Sequence, residues 1–98
     1  MTRTYSVVLL REPDGGYSVS VPAVRGCHTM GDDVPEALAN AREALELHLE
    51  CLAAHGDPIP EEGELVSVRM WDAREASIYK ITVAVPVVTQ GEQVSAVA

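Results

Sequence analysis

Two pairs of neighbouring residues have side chains of the types that catalysis requires. Cys27 precedes His28, and a cysteine beside a histidine can act as a nucleophile with its base. Asp32 and Asp33 are adjacent carboxylates, a combination that suits acid–base chemistry or a metal ion. Cys27 and His28 fall in a short β pattern, in which neighbouring side chains point to opposite faces. Asp32 and Asp33 directly precede a helix pattern, where acids cap the helix and neutralise its positive end. Both pairs therefore have structural explanations, and we predict no catalytic residue.

Metal and phosphate sites are no better supported. Cys51 and His55 are four residues apart in the helix pattern, so both could contact one ion, but two ligands do not make a site. The sequence Asp14-Gly15-Gly16 is explained by turn formation, and it does not lead into a helix as a phosphate-binding loop would. We therefore expect no metal site, no cofactor and no enzyme activity.

The acidic charge balance fits a basic protein as the partner, and it is equally well explained as a route to solubility. The 98 residues include 15 acidic and 7 basic side chains, which give a formal net charge of −8. Such a charge repels nucleic acid and attracts basic molecules. The basic residues are scattered, and three Tyr and one Trp are too few for a base-stacking platform. Direct nucleic-acid binding is therefore not expected.

The length predicts one domain, and the sequence begins with three strand patterns. The first, at 5–11, is apolar on both faces, as is typical of a central strand. Asp14-Gly15-Gly16 then predicts a hairpin turn. Alternating residues at 17–21 predict a second strand, which Pro22 stops, and 27–30 predicts a short third strand that Gly31 closes.

A long helix is predicted at 34–55, with Asp33 as its N-cap and Gly56 at its end. Apolar residues recur at helical spacing and define one stripe that faces the core. The stripe consists of Val34, Ala37, Leu38, Ala41, Leu45, His48, Leu49 and Leu52. Glu36, Glu43 and Glu50 follow one another every seven residues on a different stripe. This second stripe is either a solvated face or a candidate binding face for a basic partner.

The rest of the sequence completes the same domain. Residues 64–70 fit a strand or a short helix, and 79–85 alternates as a strand does. The predicted fold is therefore α+β, in the order β-β-β-α-β, a small antiparallel sheet with one long helix packed on one face. We expect residues 1–63 to form the core, residues 64–88 to complete it, and residues 89–98 to form a flexible tail. The unpaired sheet edge and the apolar segment 78–88 predict a homodimer or a higher even oligomer.

A location in the cytoplasm is also expected. No stretch approaches the ~20 apolar residues that span a bilayer. The first residues run directly into a strand pattern and have no apolar signal segment.

An ordered series of short motifs resembles the antitoxin domain of the HicB family. The series runs from YSVVLL and EPDGGY at the start, through Pro22, Gly26-Cys27 and Gly31-Asp32, to Glu36-Ala37-Leu38 and the final GDPIP. It covers residues 1–60. The motif residues expected to be structural are Asp14, Gly15, Gly16, Tyr17, Pro22, Gly26, Cys27, Gly31 and Asp33.

The resemblance implies a partial ribonuclease-H-like fold without nuclease activity. Members of the family typically neutralise a HicA-type toxin, which is a small basic ribonuclease, by covering its catalytic histidine. Many members also carry a C-terminal DNA-binding module, whereas this sequence has strand-like segments after Gly63. The alternative is an interaction or oligomerisation module that has the same fold and no toxin partner.

Overall fold

Four antiparallel strands form one sheet, and a single long helix packs on one of its faces. The computed structural model describes residues 2–62 and 75–86. Its elements are β1 (Thr2–Arg11), β2 (Tyr17–Ser20), β3 (His28–Gly31), α1 (Val34–Ala54) and β4 (Ala76–Ala84). The strand order is β3-β2-β1-β4, so β1 is an inner strand. The predicted α+β class and element order are confirmed. Residues 64–70 and the predicted tail at 89–98 lie outside the described residues.

β1 begins at Thr2, three residues before its predicted start, because it pairs with β4 there. β4 pairs with β1 from Thr2 opposite Ala84 to Leu10 opposite Ala76. The segment 2–4 is polar and shows no strand pattern of its own, and its pairing with β4 places it in the sheet. The hydroxyls of Thr4 and Thr82, which face each other across this ladder, are 2.7 Å apart.

The hairpin between β1 and β2 is set by its glycines. Gly15 has a φ of +97°, a conformation that residues with a Cβ rarely adopt. The Asp14 carboxylate accepts a hydrogen bond from the Gly16 N–H at 3.0 Å, which stabilises the turn. The strands then pair in a register that places Leu10 opposite Ser18.

The core lies between one face of the sheet and the predicted stripe of α1. Alternate residues of β1, namely Tyr5, Val7 and Leu9, are fully buried there. On α1 the stripe is buried along its centre and half-buried along its borders. The buried helix residues are Ala37, Ala41, Leu45, Leu49 and Ala53, and the half-buried ones predicted with them are Val34, Leu38, His48 and Leu52. Ala53 was not among the predicted core residues.

Gly31 allows α1 to approach β3 closely. A Cβ at Gly31 would lie 2.5 Å from both the Cα and the N of Ala37. Gly31 is buried and is not in the left-handed region. Glycine is therefore required at this position because a side chain would collide with the backbone of α1.

Both ends of α1 have capping hydrogen bonds. Asp33 Oδ1 accepts from the Glu36 N–H at 2.8 Å, and Glu36 Oε1 accepts in turn from the Asp32 N–H at 2.9 Å. The return bond thus reaches the residue before the N-cap, unlike the usual capping box. At the other end Gly56 has a φ of +75° and donates to Ala53 O, while Asp57 N–H donates to Leu52 O, the pattern of a Schellman motif.

The segment that follows α1 returns along β1. The Arg3 guanidinium donates to Pro60 O at 3.1 Å, and the Tyr5 hydroxyl donates to the same oxygen at 2.5 Å. Burial raises the pKa of Tyr5, in keeping with its role as a donor. Further along, the N–H and hydroxyl of the buried Ser6 donate to the two carboxylate oxygens of Glu62, at 3.1 and 2.5 Å. This segment thus forms hydrogen bonds with the part of β1 that does not pair with β2.

Candidate protein-binding surface

The two residues that could have served as a nucleophile and base differ in burial. Cys27 is buried and His28 is exposed. The third strand begins one residue later than predicted, at His28, so Cys27 lies in the connection before it. Burial raises the pKa of the Cys27 thiol, which disfavours the thiolate that a nucleophile needs. Cys27 thus packs in the core as a small apolar residue.

The other candidate groups have local structural partners. His55 Nδ1 lies 2.7 Å from the backbone oxygen of Cys51, which matches a contact within one helical turn. Within residues 2–62 and 75–86, no three His, Cys, Asp or Glu side chains are placed to hold one metal ion. The same residues contain no helix that is long and apolar enough to cross a membrane.

A groove of about 470 Å³ lies beside the β1–β2 turn, the end of β3 and the start of α1. Its acidic lining residues are Glu12, Asp14, Asp32 and Glu36. The Ser18 hydroxyl donates to Glu12, a Gly16 N–H donates to Asp14, and an Asp32 N–H donates to Glu36. The turn and the helix cap thus account for the carboxylates in this groove.

The three glutamates predicted as a partner-binding stripe are all exposed on α1, away from the buried stripe. Seven residues span almost two full turns, so successive members lie roughly 10 Å apart on one side of the helix. Glu36 differs from the other two because it holds the Asp32 N–H at the helix start. Glu43 and Glu50 make no hydrogen bond or ion pair within the described ranges.

An exposed leucine interrupts this stripe. Leu47 is 60 % exposed, and helical spacing places it one turn from both Glu43 and Glu50. Leu47 was not among the predicted site residues, although its position off the apolar stripe indicated that it faces outward. The only arginine of the helix, Arg42, is directed elsewhere, since its Nη1 donates to Thr82 O at 2.5 Å. We call the surface formed by Glu43, Leu47 and Glu50 the outer helix face.

Two other large apolar side chains in the part of the chain that the structure describes are exposed on the far side of the sheet. Met30 is 70 % exposed and Ile78 is 53 % exposed. Ile78 pairs with Val8, and Met30 pairs with Ser18 opposite Leu10, which places both on the sheet face away from Val7 and Leu9. Among the described residues, the large exposed apolar side chains are therefore divided between two opposite surfaces.

The nine residues of the motif series lie in or beside the connections between β1 and α1. Asp14, Gly15, Gly16 and Tyr17 form the first turn and the start of β2. Pro22, Gly26 and Cys27 belong to the β2–β3 connection, where Gly26 has a φ of +82°. Gly31 and Asp33 adjoin the start of α1, with the contacts described above.

Sequence comparison identifies the family. The family model described as the HicB_like antitoxin of bacterial toxin-antitoxin systems matches residues 5–94. A UPF0150 protein of Synechocystis is 45 % identical over 62 residues, which cover 63 % of this chain and 78 % of the relative.

Solved structures share the fold at lower sequence identity. A chain of a toxin–antitoxin complex from Streptococcus pneumoniae matches with a TM-score of 0.71 and 21 % identity, over 86 % of this chain and 70 % of that one. The N-terminal domain of the Burkholderia pseudomallei antitoxin HicB matches with a TM-score of 0.62 and 23 % identity, over 86 % and 99 %. A chain of a HicA3 and HicB3 toxin–antitoxin complex matches with a TM-score of 0.62 and 21 % identity, over 76 % and 93 %. The chain belongs to the HicB-like antitoxin family of bacterial toxin–antitoxin systems.

Proposed function

We propose that this protein is an antitoxin that binds and neutralises a small basic ribonuclease of the HicA type. The match of the family model to residues 5–94 carries the proposal. The fold it shares with chains from two toxin–antitoxin complexes supports the same function. The net charge of −8 adds a physical reason for binding a basic protein.

Neutralisation works by competition with RNA. An acidic surface attracts a basic, RNA-binding protein at a rate that falls as salt screens the charges. Once bound, the antitoxin occupies the surface that RNA phosphates would otherwise contact. The candidate docking surfaces are the Glu36, Glu43 and Glu50 stripe and the sheet edge beside it.

The protein contributes no chemistry of its own in this proposal. A ribonuclease H enzyme needs carboxylates on its central strand to hold Mg²⁺, and β1 contains neither Asp nor Glu. Cys27 is buried whereas His28 is exposed, and Asp33 is used in the helix cap. We also expect no binding to DNA by this chain, because its negative charge opposes the phosphates.

We further propose self-association through the sheet. β4 pairs with β1 on one side, and its other edge has no strand partner within the described residues. Such an edge exposes backbone donors and acceptors that can pair with another chain. An oligomerisation module without a toxin is the alternative function, and the same edge would serve it.

Co-expression with the neighbouring small reading frame tests the antitoxin function. A tagged copy of this protein should recover the product of that frame at low salt and less of it at high salt. Expression of this protein should also relieve the growth arrest that the neighbouring frame causes. If no partner is recovered and growth arrest persists, the oligomerisation module is the better explanation.

A further inference from the structure

We propose that Leu47 is the apolar anchor of the interface with the basic partner, and that Glu43 and Glu50 set how fast the partner arrives. The inference rests on the proposed antitoxin function. It selects the outer helix face over the sheet edge as the docking surface.

Leu47 is directed away from the core by the helix itself. Leu45 and Leu49 are both fully buried, whereas Leu47 between them is 60 % exposed. Single exposed leucines are common on protein surfaces and need no explanation by themselves. Leu47 differs because Cys51 and Ala54, one and two turns further on, are exposed as well. The outward side of α1 thus continues from Leu47 as a narrow apolar strip.

The charges around Leu47 specify the chemistry of its partner. Four glutamates lie along α1, at positions 36, 43, 46 and 50, against the single arginine at position 42. Arg42 is hydrogen-bonded to Thr82 O and forms no ion pair with Glu43 or Glu50 within the described residues. The complementary surface is an apolar hollow bordered by lysine or arginine side chains. An apolar centre surrounded by a polar rim is the usual arrangement of a protein–protein interface.

The outer helix face also lies on a helix that is packed and capped in the unbound protein. Leu45 and Leu49 fix the helix against the sheet directly behind Leu47, and both helix ends are capped. A rigid surface loses little conformational freedom when a partner docks, so more of the contact energy is retained as affinity.

The two parts of the outer helix face should affect different rate constants. Leu47→Ala should raise the dissociation rate about ten-fold with little change in association, because buried apolar contact sets the lifetime of a complex. Alanine keeps the helix propensity, so the fold should be retained. The double variant Glu43→Gln/Glu50→Gln should slow association and weaken its salt dependence, with little change in dissociation.

Surface plasmon resonance against the immobilised product of the neighbouring reading frame measures both rates. Ile78→Ala is the matched control, because it shortens an exposed apolar side chain on the opposite surface, and urea unfolding checks each variant. The proposal predicts that Ile78→Ala binds like the wild type. If Ile78→Ala weakens binding and Leu47→Ala does not, the docking surface is the sheet, and this inference is wrong while the antitoxin function stands. If the wild type does not bind at all, the proposed function and this inference both fail.

Discussion

Gly31 is a position at which one added methyl group should strongly disturb the fold. A Cβ there would lie 2.5 Å from the Cα and N of Ala37 and 3.0 Å from its Cβ. The first two atoms belong to the backbone of α1, so no change of side-chain rotamer can relieve the contact. In Gly31→Ala, α1 or β3 must therefore move, which loosens the packing between them.

The size of the effect follows from this contact. Overpacking a close-packed core costs about 1–3 kcal/mol, and a contact with backbone belongs at the upper end, at about 3 kcal/mol. A domain of this size has a free energy of unfolding of about 5–15 kcal/mol, so the loss is a large fraction of it. Gly15→Ala is the matched control. Nothing lies within 4 Å of a Cβ at Gly15, and only its positive φ is penalised, by about 1 kcal/mol.

Urea unfolding followed by circular dichroism measures both variants. Gly31→Ala should be clearly less stable than Gly15→Ala. Adding Ala37→Gly should not restore stability, because the contact is with backbone atoms that glycine retains. A free energy of unfolding for Gly31→Ala within about 0.5 kcal/mol of the wild type, or rescue by Ala37→Gly, would show that the contact is not a constraint.

Three further predictions concern the helix cap, acid stability and assembly. Asp33→Ala should lower the free energy of unfolding by about 0.5–2 kcal/mol in urea titrations, because the Glu36 N–H loses its acceptor, and an unchanged value would refute the cap. Burial alone would raise the pKa of Glu62, but hydrogen bonds from Ser6 and Lys80 outweigh it and hold that pKa below the ordinary 4.5. The ionised carboxylate therefore stabilises the fold above pH 4.5 and loses this contribution as the pH falls through the lowered pKa, so Glu62→Gln should flatten the acid limb of the stability curve. Light scattering at micromolar concentrations should show a homodimer or a higher even oligomer, and a monomer at every concentration would contradict pairing through β4.

The elements of the fold were predictable because their patterns are local. The apolar run at 5–11 predicted an inner strand, and β1 lies between β2 and β4. The 3.6-residue repeat predicted α1, and Asp33 and Gly56 predicted its ends to within one residue. Each of these signals arises from residues near one another in the chain, so the sequence displays it directly.

Features that join distant segments were not predictable. Nothing in the sequence indicates that Ser6 donates hydrogen bonds to Glu62. A strand pattern predicts pairing between backbone groups, whereas the acceptor here is a side-chain carboxylate 56 residues away. Glu36 shows what helical spacing cannot predict. Its spacing grouped it with Glu43 and Glu50, whereas the structure binds its carboxylate to the Asp32 N–H. Spacing reports which side of a helix a residue occupies, but it does not report whether its side chain is already bonded.

An RNA-cleavage titration tests the central claim most directly. The purified product of the neighbouring reading frame is incubated with RNA while this protein is added in increasing amounts. The antitoxin function predicts that cleavage falls in proportion to the added protein and stops when the two are present in the ratio found in their complex. Undiminished cleavage in the presence of excess, correctly folded protein would contradict it.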